Sequence, residues 1–196
     1  KTKTILWDLD IWPESLKAVN VIKSNFLISI IKSIVEFIYS KFDKILVSSK
    51  SLMDIVRSRY NGDIIYFPNW AETIIEENKI DKNYKIDINN KKFNIIYTGN
   101  IGKAQNFENL VKTIQLLDKN IHLIFVGDGR FKKEFKNIID KKHLNNNVTF
   151  IDQVSVDIIP SIVSLADSLF LSLKNHDIFS KTVPAKLQTY MALGKP

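Results

Sequence analysis

Short apolar runs alternate along most of the chain with longer segments in which apolar residues recur every three or four positions. The short runs are typical of buried strands, and the longer segments are typical of helices that bury one face. The predicted strands cover residues 4–9, 44–49, 64–67, 93–98, 121–126, 147–151 and 167–173. The predicted helices cover residues 26–42, 51–60, 105–118, 130–142, 155–165 and 184–193. This alternation predicts an α/β fold with parallel sheets that are covered on both faces.

Residues 71–92 interrupt the alternation, because they are polar and charged and show little periodicity. Such a segment is typical of a surface linker between domains. The sequence therefore predicts one domain over residues 1–70, a linker over residues 71–92 and a second domain over residues 93–196.

A glycine-containing turn at residues 97–106 follows a predicted strand and leads into a helix. Gly99 and Gly102 allow the backbone to turn sharply and to approach a ligand closely. The helix start beyond them offers free N–H groups and a partial positive charge, which suit an anion. An ordinary strand-to-helix turn explains the same residues. Ligand sites of parallel sheets lie beyond the carboxyl ends of strands, where residues 127–130 and 174–184 also fall.

Two lysines, Lys181 and Lys186, lie around the start of the last predicted helix. Pro184 suits the first helical turn, where its missing N–H is not needed. Lysines oppose the positive end of the helix dipole, and a bound anion would relieve that conflict. The pattern predicts a phosphate clamp, with two solvated lysines as the alternative.

The charge of the chain favours an anionic partner, because 28 Lys and Arg against 21 Asp and Glu leave a net charge of +7. A general compositional preference for Lys, Asn and Ile explains the same excess. Cysteine is absent, which excludes disulfides and thiolate metal sites. The three histidines are scattered along the chain, so a histidine metal site is not expected.

The predicted helix at 26–42 is strongly apolar but contains charged residues, so it is a poor transmembrane span. A packed core helix is the first interpretation. The second is a helix that lies on a membrane surface with Lys23, Lys32, Lys41 and Lys44 around it.

Asp10 and Glu14 flank Trp12 in the turn after the first predicted strand. Two carboxylates beside an indole suit the binding of an acceptor substrate. A helix N-cap and a buried tryptophan are the structural alternative.

Five segments occur in the order of a known family: residues 10–15 (DIWPES), 67–70 (FPNW), 97–105 (YTGNIGKAQ), 126–129 (VGDG) and 179–196 (FSKTVPAKLQTYMALGKP). Through them the chain resembles bacterial glycosyltransferase family 4, in particular the branch that builds cell-surface polysaccharides. The resemblance covers nearly the whole chain, and the last segment is the most specific.

The resemblance implies a GT-B-like fold of two Rossmann-like, doubly wound domains with an active site in their cleft. Residues 1–70 would be the second half of the acceptor-binding domain. Residues 93–196 would be a donor-binding domain truncated at its C-terminus, so the chain is expected to be an internal fragment.

The implied reaction moves a sugar from a nucleotide-diphosphate donor, expected to be UDP-linked, to a lipid- or glycan-linked acceptor, with retention of the anomeric configuration. No cofactor and no metal are expected, because helix N-termini and basic residues stabilise the leaving diphosphate in this family. The expected place of action is the cytoplasm, with peripheral contact to the inner face of the plasma membrane.

By the same resemblance, three segments would bind the donor. Their residues are Gly99, Asn100, Gly102, Lys103 and Gln105, then Gly127, Asp128 and Gly129, then Ser180, Lys181, Thr182, Lys186 and Thr189. Asp152 would lie near the nucleobase, and the candidate catalytic residues are Lys181, Asp10 and Glu14. Many members carry Arg and Lys at the positions of Asn100 and Gln105, where Lys103 is expected to substitute. They also carry glutamates at positions 181 and 189.

Two other functions fit parts of the sequence. A dinucleotide-dependent oxidoreductase should show Gly-x-Gly-x-x-Gly, a spacing that neither glycine loop has. A nucleic-acid-binding domain would suit the basic charge, but the lysines are spread along the chain and no binding motif is recognised.

Overall fold

The computed structural model of the chain describes residues 2–71, 80, 84, 86 and 88–196. The predicted linker at 71–92 therefore lies largely outside the described residues. The chain divides into two compact units. The first unit contains Lys1–Asn69 and Lys174–Pro184, and the second contains Trp70–Leu173 and Ala185–Pro196.

The described strands are β1 (Ile5–Asp8), β2 (Lys44–Val47), β3 (Asp63–Tyr66), β4 (Phe93–Thr98), β5 (Ile121–Val126), β6 (Val148–Ile151) and β7 (Ser168–Leu169). The described helices are α1 (Glu14–Ala18), α2 (Asn25–Tyr39), α3 (Lys50–Arg57), α4 (Phe107–Ile114), α5 (Lys132–Lys141), α6 (Ile159–Ser164), α7 (Asp177–Lys181) and α8 (Ala185–Ala192). Single 3-10 turns occupy Lys103–Gln105 and Val156–Ile158.

In the first unit, β1, β2 and β3 form a parallel sheet in that order. The central strand β2 buries Ile45 and Val47 completely. Because side chains alternate along a strand, both point to the same face, where Leu52 and Val56 of α3 join them in one core. Ile178 of α7 belongs to this core as well.

The helix α2 begins after Ser24, whose hydroxyl accepts a hydrogen bond from the backbone N–H of Leu27. It buries Val35 and Tyr39. Its other side leaves Phe26, Leu27, Ile30, Ile34, Phe37 and Ile38 exposed. The core-helix interpretation therefore describes one face of α2 only. Of the helices in the described part of the chain, none is long and apolar enough to span a membrane.

In the second unit, four parallel strands lie in the order β6, β5, β4, β7. Along β5, Phe125 packs with Phe107 and Phe135 on one face, and Ile124 packs on the other face in a separate core with Ile162. The pairing of β4 with β5 runs without a break to Thr98 and Val126, so the two strands end level. Both faces are covered, which confirms the predicted α/β class.

Two predicted elements differ from the structure. The strand predicted at 167–173 is reduced to Ser168–Leu169, which pair with Ile95 and Ile96 of β4. The loop predicted at 174–184 contains α7, which is too short for apolar periodicity to identify it. This loop also packs in the first unit rather than with residues 93–173, because Ile178 is buried there and the Ser49 hydroxyl donates to the carbonyl of Lys181.

Candidate functional site

A cavity of about 590 Å³ opens in the second unit beyond the carboxyl ends of its strands. This size is within the range of small-molecule sites. Its lining consists of Thr98, Gly99 and Asn100 after β4, Val126, Gly127, Asp128 and Gly129 after β5, Gln153, Val154, Val156 and Ile159 after β6, and Ala185, Lys186 and Thr189 of α8.

The two glycine loops of the cavity are joined through their backbones. The N–H of Ile101 donates to the carbonyl of Asp128 (2.8 Å), and the N–H of Phe131 donates to the carbonyl of Ile101 (3.0 Å). Gly127 adopts a φ of +139°, and a Cβ at this position would lie 2.1 Å from the carbonyl oxygen of Gly99. The loops approach each other so closely that only glycine fits at position 127.

Lys186 brings a positive charge into this cavity. Its Nζ lies 3.8 Å from the centre of the Tyr97 ring and donates a hydrogen bond to the Tyr97 hydroxyl. Burial lowers the pKa of Lys186 to about 8, because removal from water disfavours the ammonium form. Among the described residues no carboxylate pairs with Lys186, and a bound anion would supply that counter-charge.

Two tyrosine hydroxyls form hydrogen bonds with the backbone near Lys186. The Tyr97 hydroxyl donates to the carbonyl of Asn100 (2.6 Å), so it joins Lys186 to the first glycine loop. The Tyr190 hydroxyl accepts from the N–H of Thr98 (2.9 Å) and so binds α8 to the end of β4. Burial raises the pKa of both tyrosines, which keeps their hydroxyls protonated. Tyr190 lies one helical turn from Lys186 on α8.

Seven of the predicted donor residues line this one cavity: Gly99, Asn100, Gly127, Asp128, Gly129, Lys186 and Thr189. Gly102, Lys103 and Gln105 lie outside the lining, and the Gln105 side chain instead accepts from the N–H of Gly102 (3.1 Å). The binding roles of all these residues stay predictions.

Asp152 lies outside the cavity lining, and its role at the nucleobase stays a prediction. Its exposed carboxylate pairs with the ammonium of Lys132 (2.6 Å), and this hydrogen bond lowers the pKa of Asp152. The next two residues, Gln153 and Val154, line the cavity instead. Their position directly after β6 is the signal by which sequence reasoning could have found them.

Ser180, Lys181 and Thr182 belong to the first unit. The ammonium of Lys181 pairs with Asp177 (2.8 Å) one turn earlier in α7, and the Ser180 hydroxyl donates to the carbonyl of Asp177. Because Lys181 and Lys186 are in different units, the predicted clamp between them stays a prediction.

The acceptor-side carboxylates of the first unit differ in their surroundings. Glu14 forms an ion pair with Arg59, whose side chain is only 4% exposed and also donates to the carbonyl of Trp12 (2.7 Å). Asp10 is exposed. The structural alternative for this turn is wrong in two respects, because Trp12 is 48% exposed and no side chain caps α1.

A third carboxylate near this turn was not predicted. The Asp8 carboxylate, at the end of β1, accepts a hydrogen bond from the Tyr39 hydroxyl. Burial raises the pKa of Asp8.

The comparison with known protein families gives one match of large extent. The model of the family "Glycosyl transferases group 1" matches residues 78–196, which is more than half of the chain and includes the whole cavity lining.

Two curated proteins are similar to the chain. WcaI of Escherichia coli, named as a colanic acid biosynthesis glycosyl transferase, is 26% identical over 160 residues, which are 78% of this chain and 39% of WcaI. WbjE of Pseudomonas aeruginosa, named as a glycosyltransferase, is 26% identical over 135 residues, 65% of this chain and 34% of WbjE. The chain thus spans between a third and two fifths of the length of these relatives.

Among solved structures, HepE of Anabaena in complex with UDP-glucose is similar in fold. The TM-score is 0.68 at 14% sequence identity, and the match covers 98% of this chain and 51% of HepE. This likeness shows the fold, and it confirms the predicted GT-B-like class.

Proposed function

The chain belongs to the glycosyl transferases of group 1, and on that premise we propose that the protein transfers a sugar from a nucleotide-diphosphate donor during the synthesis of a cell-surface polysaccharide. The name of WcaI supports the process, and the UDP-glucose bound to HepE supports a UDP-linked donor. Retention of the anomeric configuration and independence from metal are part of the proposal and rest on the resemblance to glycosyltransferase family 4.

The arrangement of the cavity is the observation that carries the proposal. The sheet order puts the loop after β6 two strands away from the end of β4, or about 10 Å. The β4 side presents Lys186 and glycine backbone, which suit a diphosphate, and the β6 side presents Val154, Val156 and Ile159, which suit the face of a base. A nucleoside diphosphate has one charged and one aromatic end and matches both sides.

The chemistry at the end of the cavity that contains Lys186 depends on the negative charge that develops on the leaving diphosphate. When the bond between the sugar and the phosphate breaks, a cation held in place by the protein stabilises that charge without reorganisation. Lys186 is held by Tyr97, and the first turn of α8 adds backbone N–H groups. We assign the leaving-group role to Lys186, and by the resemblance we keep Lys181, Asp10 and Glu14, which belong to the first unit, as the other candidate catalytic residues.

The acceptor is proposed to be lipid-linked, so that the enzyme works at an anionic membrane surface. The exposed face of α2 has Phe26, Ile30 and Phe37 near one line of the helix. Lys23 precedes the helix, and Lys41 follows it with its Nζ 4.4 Å from the Phe37 ring centre. The acidic Glu36 is one turn from Lys32 and pairs with it. An apolar stripe with a lysine at each end suits acyl chains below anionic headgroups.

Calorimetric titration of the intact protein with UDP, without added metal, tests the proposed function. We expect UDP to bind at least about tenfold more tightly than NAD, a difference of about 1.4 kcal/mol, because the glycine loops lack the dinucleotide spacing. NAD binding in place of UDP would overturn the glycosyltransferase proposal.

Co-sedimentation with vesicles tests the membrane contact. The double variant Ile30→Ser with Phe37→Ser should bind vesicles that contain phosphatidylglycerol at least about tenfold more weakly, because each apolar side chain contributes about 1.5–3 kcal/mol when fully buried. Leu116→Ser, at an exposed apolar residue of the second unit, is the matched control and should bind as the unaltered protein does. Equal loss in both variants, or no sedimentation of the unaltered protein, contradicts a membrane site on α2.

A further inference from the structure

Lys132 is a buried lysine beside the cavity that does not line it. It is the first residue of α5 and is only 7% exposed. A lysine is rarely buried to this degree unless its charge has partners. Sequence reasoning did not select it, because it is one of several lysines in a polar helix start.

The ammonium of Lys132 has three acceptors. Its Nζ donates to the carbonyl of Gly127 (2.6 Å), to the carbonyl of Ile151 (3.3 Å) and to the carboxylate of Asp152 (2.6 Å). An ammonium has three N–H donors, so the protein itself uses all of them. Lys132 is therefore not free to bind a phosphate, in contrast to Lys186.

These acceptors belong to two different walls of the cavity. Gly127 follows β5 and begins the second glycine loop, whereas Ile151 and Asp152 lead directly into Gln153 and Val154. The N–H of Gly127 also donates to the carbonyl of Ile151 (3.1 Å), so the ammonium reinforces an existing link between the two loops. Loss of the ammonium would leave one buried and one partly buried carbonyl with fewer donors and would loosen both walls.

We infer that Lys132 is a positioning residue for the nucleotide site. It fixes the position of the diphosphate wall (Gly127–Gly129) relative to the base wall (Gln153–Val154). Asp152 then serves as the counter-charge of Lys132 and not as a ligand of the base. The inference rests on the proposed function, because it assumes that the cavity takes a nucleotide. An ion pair kept for stability alone would gain little here, since the Asp152 side chain is 92% exposed.

The test compares the affinities of UDP and uridine for Lys132→Met, measured by calorimetry well below the melting temperature. We expect both ligands to bind about ten- to hundredfold more weakly, and by the same factor, because both walls lose their support. Lys133→Met removes the same charge from an exposed neighbour on α5 and should leave both affinities unchanged. If Lys132 contacted the phosphate directly, the affinity for UDP would fall and the affinity for uridine would not. If its role were purely structural, the melting temperature would fall and both affinities would be unchanged. Either result overturns the inference.

Asp152→Ala provides a second variant, which removes an exposed side chain and leaves Lys132 itself in place. We expect the affinities for UDP and uridine to fall equally, by about two- to tenfold, since the ammonium loses its charged acceptor. Loss of uridine binding beyond that seen in Lys132→Met would assign Asp152 to the base and overturn the inference. If the unaltered protein binds neither ligand, the proposed function fails and the inference falls with it. If it binds both and Lys132→Met equals Lys133→Met, only the inference fails.

Discussion

Gly127→Ala is expected to destabilise the protein by about 2–5 kcal/mol and to abolish measurable UDP binding. The new Cβ would lie 2.1 Å from the carbonyl oxygen of Gly99 and 2.9 Å from its carbonyl carbon. Both atoms are backbone, so no side-chain rotation relieves the clash. The two glycine loops must move apart, which breaks the cavity at the end that is proposed to hold the diphosphate. Urea denaturation gives the free energy of unfolding, and calorimetry gives the affinity for UDP.

Gly194→Ala separates backbone strain from the clash. Gly194 also has a positive φ, of +64°, but a Cβ there would meet no atom within 4 Å. This substitution should cost about 1–2 kcal/mol from strain alone and should leave UDP binding intact, since Gly194 lies beyond the end of α8. If Gly127→Ala lowers the free energy of unfolding and the affinity for UDP no more than Gly194→Ala does, the close approach of the two loops is not essential.

Lys186→Met is expected to weaken UDP binding about 10- to 150-fold. A hydrogen bond to a charged group contributes about 1.5–3 kcal/mol, and Lys186 is proposed to supply the charge that the diphosphate needs. Methionine keeps most of the apolar stem and removes the ammonium that lies over the Tyr97 ring, so the fold should persist. Lys133→Met is the matched control, because Lys133 is exposed on α5 and lies outside the cavity lining. An equal effect in both variants would show a general loss of positive charge rather than a specific contact.

The affinity for UDP should also fall as the pH rises through about 8. Burial lowers the pKa of Lys186 from 10.5 to about 8, so the free protein loses the ammonium above that pH. A bound anion favours the charged form, and binding above pH 8 therefore requires proton uptake. We expect a loss of up to about tenfold per pH unit above 8, measured by calorimetry at pH 7 and pH 9. The affinity of Lys186→Met for UDP should not change between pH 7 and pH 9. An equal decline in that variant would assign the titration to another group.

Much of the fold was predictable because it depends on local apolar patterns. The strands at 93–98 and 121–126 coincide with β4 and β5, since fully buried strands are continuous apolar runs. The short helix α7 was not predictable, since it has too few residues for a period to appear. The strand predicted at 167–173 is present as β7, but only over Ser168–Leu169.

The convergence of the glycine loops was predictable for the same reason. Glycine loops after buried strands must come to one edge of a parallel sheet, so Gly99 and Gly127 could be placed together before the structure was known. The position of Asp152 could not, because a single residue after a strand decides whether a side chain lines the cavity or faces outward.

The sequence by itself determined the alternation of strands and helices, the glycine loops and the resemblance to glycosyltransferases. Each of these depends on residue types at fixed spacing along the chain. Only the tertiary structure decided that Lys132 is buried with acceptors from two loops, that Lys186 lies on Tyr97, and that Glu14 is held by Arg59. Burial and pairing depend on residues distant in sequence, and these contacts determine whether each side chain is charged and which atoms it can contact.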